Sequence, residues 1–417
     1  MLNIQSNIFI SLTIIGLCLQ CTESPRVIET QNNNLPVPVN LNHALSITKS
    51  IKYNDQNLSY ISIYADAPEY TPVVATGEGI ACVDDVGRFL EVLAVEFKSK
   101  PELLETIRGL TKFLLVFKNN DGTWHNFLKS DGSINRDHKN SKAEFGWWAI
   151  RGLRGLNAAW EVFSSLPNEQ AITYEISQAL LRSITHIEKI TAKYPVMIPG
   201  PGGSRSGWLL DNAPDKTSEL LLVLVRMHKN GLYDFSRHIS ILSEGLIGWQ
   251  FVNSKHDLNG MYFCWNNIWH NWGNNQAFAL MQAYTVTGET RVLESVKVWA
   301  DNFVPYLINN KFPRKITIDE SGKYEVEKFP QIAYGINSIY QGMKSLAEIT
   351  GDERYNQYSE QIFGWYTGSN SAGVAMYDPA SGRCNDGINS FDDVNYNSGA
   401  ESTVECLQSI QRRGIFN

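Results

Sequence analysis

The sequence predicts an all-α protein: an (α/α)6 toroid of six inner and six outer helices, with short β-hairpins in its loops. Three observations lead there. Helical pairs recur about every sixty residues, two of their joints carry the same punctuation, and every second helix opens on a different kind of residue from its partner.

Apolar residues at three- and four-residue spacing, separated by Gly or Pro, mark helices over 41–51, 82–97, 101–117, 142–163, 168–192 and 214–229. The pattern continues over 234–252, 273–286, 289–308, 331–349, 352–366 and 397–412. The joints "VTGETRVLESVKVWA" and "ITGDERYNQYSEQIF" each read as a helix, a Thr-Gly stop and an acidic restart, and Thr287 lies 63 residues before Thr350. That is the chemistry of a tight helical hairpin.

The entrances of alternate helices are "IACVDDVGR", "SKAEFGWW", "DNAPDKTSE", "HNWGNNQA", "KFPQIAYG" and "YNSGAEST", at intervals of about 60, 71, 59, 59 and 67 residues. Their partners open plainly, as in "KPELLETIRG". An open solenoid has no reason to gather polar aromatic entrances at one end. Closure into a ring brings six inner N-termini, and the loops before them, to one mouth.

No Pro, Gly or Ser tract and no charge block divides the chain after residue 40, so residues 39–417 read as one domain. With 43% hydrophobic and 11% aromatic residues, it can bury a large core. A net charge of −7 with interspersed signs argues against nucleic acid as a partner.

Residues 1–21 read as a signal peptide: "NIFISLTIIGLCLQC" holds an apolar run too short to span a bilayer. Cys18 and Cys21, followed by a polar tether over 22–38, resemble the lipidation site of bacterial lipoproteins, with Cys21 the stronger candidate. The expectation is an exported protein, periplasmic or at the cell surface, with possible membrane attachment through a lipidated cysteine. Cys82, Cys264, Cys384 and Cys406 show neither zinc spacing nor a compact disulfide framework, and read as free thiols.

The entrances and loops supply the carboxylates Asp84, Asp85, Glu144, Asp211, Asp215, Glu219, Asp386, Asp392, Asp393 and Glu401. Among them stand Trp124, Asn126, Trp147, Trp148, Trp208, Trp265, Trp269, Trp272, Asn274, Asn275, Tyr334, Tyr377, Asn395 and Asn397. Aromatic faces stack on pyranose rings and amides bond hydroxyl groups, so this mixture suits a carbohydrate. Breaking a glycosidic bond takes one protonated carboxyl and one carboxylate.

Each residue also has a plainer role. A first-turn acid often caps a helix or meets its dipole, and Trp160, Trp249 and Trp299 belong to helix interiors. His125 and His270 have no second histidine or cysteine at ligand spacing, "YDPASGRCNDG" lacks alternating calcium ligands, and no phosphate loop or serine elbow occurs. No metal and no cofactor are expected.

The stretches "GIACVDDVGR", "GTWHNFLKSDGSINRDHKNSKAEFGWWAIRGL", "FPQIAYGINSIYQGMKSLAEITGDERY" and "GVAMYDPASGRCNDGINSFDDVNYNSGAEST" resemble a six-hairpin, glycosidase-like domain found alone or fused to bacterial glycosyltransferases. The resemblance covers most of residues 75–412 and implies a toroid with a carbohydrate role. This chain departs from it at Gly87, where alanine is usual, and at "AEFGWWAIRG", where an acidic-Ser-His-Gly-Arg block is common. A weaker likeness is to unsaturated uronyl hydrolases, whose acids sit at successive inner-helix mouths. Asp85 and Glu144 are 59 residues apart, and Arg88, Arg205 or Lys216 could meet the uronate.

The resulting expectation is a glycoside hydrolase with Asp85 and Glu144 as its carboxyl pair, and Asp211 and Glu401 as alternatives. Arg88, one turn after Asp85, would hold that aspartate ionised as base or nucleophile; the apolar neighbours of Glu144 would raise its pKa and suit it as acid. Trp124, Trp208, Trp269 and Trp272 are expected as sugar platforms, with Asp84, Arg88, His125, Asn126, Trp147, His270, Asn275, Tyr334 and Asn397 also facing substrate. Other readings stay open: a uronyl hydrolase, a lyase using Tyr334 with His270 or His125, a 2-epimerase using both histidines, and a noncatalytic glycan-binding lipoprotein.

Overall fold

The computed structural model describes residues 39–414; the expected signal peptide, its cysteines and the tether lie outside them. The chain opens with α1 (Asn42–Ser46) and a hairpin of strands Thr48–Tyr53 and Gln56–Ile61. Then follow α2 (Val83–Glu96), α3 (Leu104–Phe117), α4 (Trp147–Ser164), α5 (Gln170–Leu181), α6 (Ile184–Thr191), α7 (Pro214–Lys229) and α8 (Ser236–Ile247). The second half holds α9 (Gln276–Thr287), α10 (Thr290–Val298), α11 (Val304–Asn309), α12 (Ala333–Thr350), α13 (Glu353–Phe363) and α14 (Ala400–Gly414).

Helices α2, α4, α7, α9, α12 and α14 each pack on the next, and α14 packs back on α2. This is the closed inner ring of the predicted toroid. Outside it run α3, the α5–α6 pair, α8, the α10–α11 pair and α13, each against its inner partner or the next. Inner helices are covered on both sides, and α12 is buried along nearly its whole length.

The expected outer helix over 41–51 is a correction. Only Asn42–Ser46 is helical, beside α14, and the chain turns extended from Thr48. The run "ITKSIKY" is rich in β-branched and aromatic side chains, which favour the hairpin that covers α3. The predicted stretch 168–192 divides at Arg182–Ser183 into α5 and α6, and 289–308 is continuous only through a π-helical turn at Trp299–Phe303.

Both Thr-Gly joints are left-handed helix stops: Gly288 has φ 64° and Gly351 φ 66°, and each N–H bonds back into its helix. The mouth loops carry the short strands. Ala81–Cys82 pairs with Phe127–Leu128, Ile268–His270 with Lys315–Ile318, and Gln331–Ile332 with Gly387–Ser390. Each pairing ties an inner-helix entrance to another mouth loop, so the ring's rim is fixed by backbone hydrogen bonds.

Candidate active site at the mouth of the inner ring

Under the mouth lies a buried ionic floor built from the second turns of the inner helices. Arg88 of α2 spends its whole guanidinium on three carboxylates at 2.9 Å each: Nη1 on Asp85, Nη2 on Glu401 and Nε on Glu405. Arg151 of α4 meets Glu219 of α7 at 2.8 Å and the Tyr334 hydroxyl at 2.5 Å. Arg154 bridges Glu219 and Glu91. Asn275 donates to Glu219 at 2.6 Å, and Asn337 to Glu405 at 2.5 Å. The Tyr334 ring lies under both arginines, 4.9 Å from Arg88 and 5.3 Å from Arg151.

This pairing decides the floor's protonation. Burial alone would raise Glu219, but Arg151 and Arg154 outweigh it and pull the carboxyl down to about 2. Burial pushes Tyr334 well up, which keeps its hydroxyl protonated. Four of these groups, Arg88, Arg151, Glu219 and Glu405, sit fifth or sixth in their helices. Sequence reading missed Arg151 and Glu405; the available signal was a charge one turn inside an otherwise apolar inner helix.

Above the floor, a cavity of about 280 Å³ opens between the entrances of α2, α12 and α14. Asp84, Asp85, Asp386 and Glu401 line it, with Tyr64, Tyr334 and Ser402. Asp85 is 3% exposed, and both its oxygens are engaged, by Arg88 and by the Cys82 thiol at 3.1 Å. The expectation that Arg88 holds it ionised is corrected: burial outweighs the guanidinium and pushes the carboxyl up to about 7.

Asp84 is also raised, by burial first, with Arg88 and Arg151 opposing and Glu401 adding to the rise. Its Oδ2 accepts from Asn126 at 3.4 Å, and its Oδ1 has no hydrogen-bond partner among the described residues. Asn126 also accepts from the Val83 N–H at 3.0 Å, so one amide caps α2 and orients Asp84. The Glu401 side chain is 45% exposed while paired to Arg88. Asp386 accepts from the Gly399 N–H at 2.9 Å and from the Ser402 hydroxyl, holding the turn that presents Glu401.

Glu144 stands at the next entrance, outside this cavity's lining, and its field comes from Lys216, Asp211 and Asp84 rather than Asp85. Burial raises it, as expected. Asp211 is an exposed rim residue with φ 53°, paired with Lys216 at 2.9 Å. At the α9 entrance His270 Nε2 meets Asp215 at 3.2 Å, its ring stacked 4.1 Å from Trp272. Trp147, half-buried, covers Arg151 from the α4 entrance.

Five expected substrate contacts are corrected. Trp124, Trp208 and Trp269 are 1%, 3% and 1% exposed. Trp124 packs on Gly152, Trp208 bonds the Ile241 carbonyl, and Trp269 meets Phe303 of the outer layer. His125 is held on both nitrogens, by the Ser141 carbonyl at 2.7 Å and Arg136 at 2.5 Å. Asn397 ties its loop to Asp66 and the Ala67 N–H. Large apolar or bidentate side chains beside a mouth serve equally well to pack its loops, which composition cannot distinguish from facing the cleft.

No protein-family profile matches the chain, and no curated protein matches it. Among solved structures it is similar to the cellobiose 2-epimerase of Bacillus thermoamylovorans, with 13% identity, 89% of this chain and 95% of that one covered, and a TM-score of 0.62. It is also similar to a family 76 glycoside hydrolase from a bovine Bacteroides thetaiotaomicron strain, with 10% identity, coverage of 90% and 76%, and a TM-score of 0.53. A polysaccharide lyase gives 12% identity, coverage of 80% and 90%, and a TM-score of 0.50. These similarities establish a six-hairpin, glycosidase-like (α/α)6 fold.

Proposed function

We propose that this toroid is a carbohydrate-active enzyme, and specifically a glycoside hydrolase working in the cavity between α2, α12 and α14. The observation that carries this is that two carboxyl groups in unlike surroundings, one buried and one exposed beside an arginine, line one cavity. Asp84 is raised by burial and its buried Oδ1 has no hydrogen-bond partner among the described residues, which suits the acid that protonates a leaving glycosidic oxygen; Glu401 is ion-paired with Arg88 and exposed to the cleft, which suits the second carboxyl. Asp85, with both oxygens engaged, positions Arg88 rather than reaching substrate.

Contacts at named atoms weigh against the other readings. A uronate would need a free cation. Arg88 serves three carboxylates, Arg205 is spent on the Pro201, Gly248 and Gln250 carbonyls, and Lys216 on Asp211. Against a histidine pair for epimerisation stands His125, both of whose nitrogens already have partners. A tyrosine base is opposed by the burial that keeps Tyr334 protonated.

The test is reducing-end release from a panel of neutral and charged glycans, with absorbance of unsaturated uronate and exchange of the C2 proton in D₂O followed in parallel. Asp84→Asn and Glu401→Gln are expected to lower kcat by about 100-fold or more with the protein still folded. A product formed by elimination or epimerisation, or full turnover by both variants, overturns the reading.

A further inference from the structure

We propose that Cys384 and Cys406 are a disulfide-forming pair that locks the segment between them, the segment carrying Asp386 and Glu401. Both thiols are 0% exposed. Cys384 ends the strand Arg383–Cys384, which packs on α14, and Cys406 stands buried in the second turn of that helix, close enough for the Cys384 thiol to act on it. Of the other two cysteines of the described residues, Cys82 donates to Asp85 and Cys264 to the His270 carbonyl at 3.4 Å, whereas Cys384 donates to the carbonyl of its neighbour Asn385 at 3.6 Å.

The geometry joins a short strand to a helix across a loop with both ends already fixed. In the reaction each Sγ–H gives up its proton, an Sγ–Sγ bond forms, and the two electrons pass to a disulfide oxidant, such as glutathione disulfide, which is cleaved to two thiols. Burial raises the Cys406 thiol, so exchange in the folded chain is slow and the bond closes as the chain folds.

Between the two cysteines run the strands Gly387–Ser390 and Asp393–Asn395, the Asp386 turn and the start of α14. A cross-link there holds the wall of the cavity that presents Glu401, whatever reaction the cavity performs. It also staples the strand before α14 to the helix that closes the inner ring.

The full chain, refolded from urea in reduced and oxidised glutathione and separately produced in an oxidising periplasm, is alkylated, digested and mapped by mass spectrometry. The expected product is a peptide pair joining Cys384 to Cys406, with a Tm about 4 °C above the dithiothreitol-reduced protein. Cys406→Ser is expected to remove both the linked peptide and the shift. Recovery of both residues fully alkylated in both preparations, or their linkage to other cysteines, overturns the proposal. The wild-type map decides this without the variant, so a poorly folding Cys406→Ser leaves the outcome readable.

Discussion

Asp85 and Glu219 are both buried carboxylates on inner helices, yet they are driven in opposite directions. Burial outweighs the one arginine that Asp85 shares with two other acids and pushes it up to about 7; on Glu219 burial is outweighed by two arginines, which pull it down to about 2. For Asp85 the folded pKa lies above the unfolded one, so its stabilising contribution is complete below about pH 4 and is lost as pH rises towards 7. Replacing it with Asn removes that loss. The stability of Asp85→Asn relative to wild type is expected to grow by up to about 4 kcal/mol between pH 4 and pH 7.5, measured by urea unfolding. A difference that stays constant across this range refutes the raised carboxyl. Glu219 works the other way: its contribution is present above about pH 4.5 and is lost as pH falls towards 2. Glu219→Gln leaves Arg151 and Arg154 short of their shared carboxylate and is expected to cost about 3–5 kcal/mol. A cost below 1 kcal/mol at pH 7 would mean that the ionic floor is dispensable.

At the scale of elements, the decisive contact is where α2 crosses α4. A Cβ on Gly87 would meet the Arg151 carbonyl oxygen at 2.3 Å, and one on Gly155 would lie 2.6 Å from the Gly87 Cα. Two glycines therefore let the helices approach backbone to backbone, which brings Arg88 and Arg151 over one tyrosine ring. The alanine usual at position 87 in the resembling domains would not fit this crossing. Gly87→Ala is expected to cost about 3 kcal/mol, because the obstacle is backbone and cannot turn aside; chemical denaturation measures it, and an unchanged midpoint contradicts the close crossing. The element pattern itself was legible in the sequence where amphipathic spacing and a Thr-Gly stop coincided, as at Gly288 and Gly351. It failed over 41–51, where a short β-rich run carried apolar residues at a spacing compatible with either helix or strand, and pairing with its neighbour decided the matter.

For the whole molecule, closure of the ring rests on α14, which packs on both α12 and α2. It also supplies Glu405 to Arg88 and Glu401 to the cavity. A chain ending at Ser398 should lose the cooperative unfolding transition seen by circular dichroism, because both neighbouring inner helices would expose apolar faces to water. A truncated chain that keeps a sharp transition would show that the ring need not close. The same closure explains how much of the candidate site could be read in advance. Asp84, Asp85, Arg88, Tyr334 and Glu401 do share one cavity or its floor, because a repeat near sixty residues dictates which entrances meet. Trp124, Trp208, Trp269 and His125 sit at the same entrances but turn into the packing, since a repeat fixes where a segment lies and not which way its side chains face.

By itself the sequence determined the number of inner helices, their order and the gathering of acids and aromatics at one end, because these follow from local periodicity and punctuation along the chain. Only the tertiary structure decided which carboxyl groups are paired, which are raised and which buried oxygen is left without a partner. Those properties depend on charges that meet across the ring from helices hundreds of residues apart, and on the burial that sets their strength.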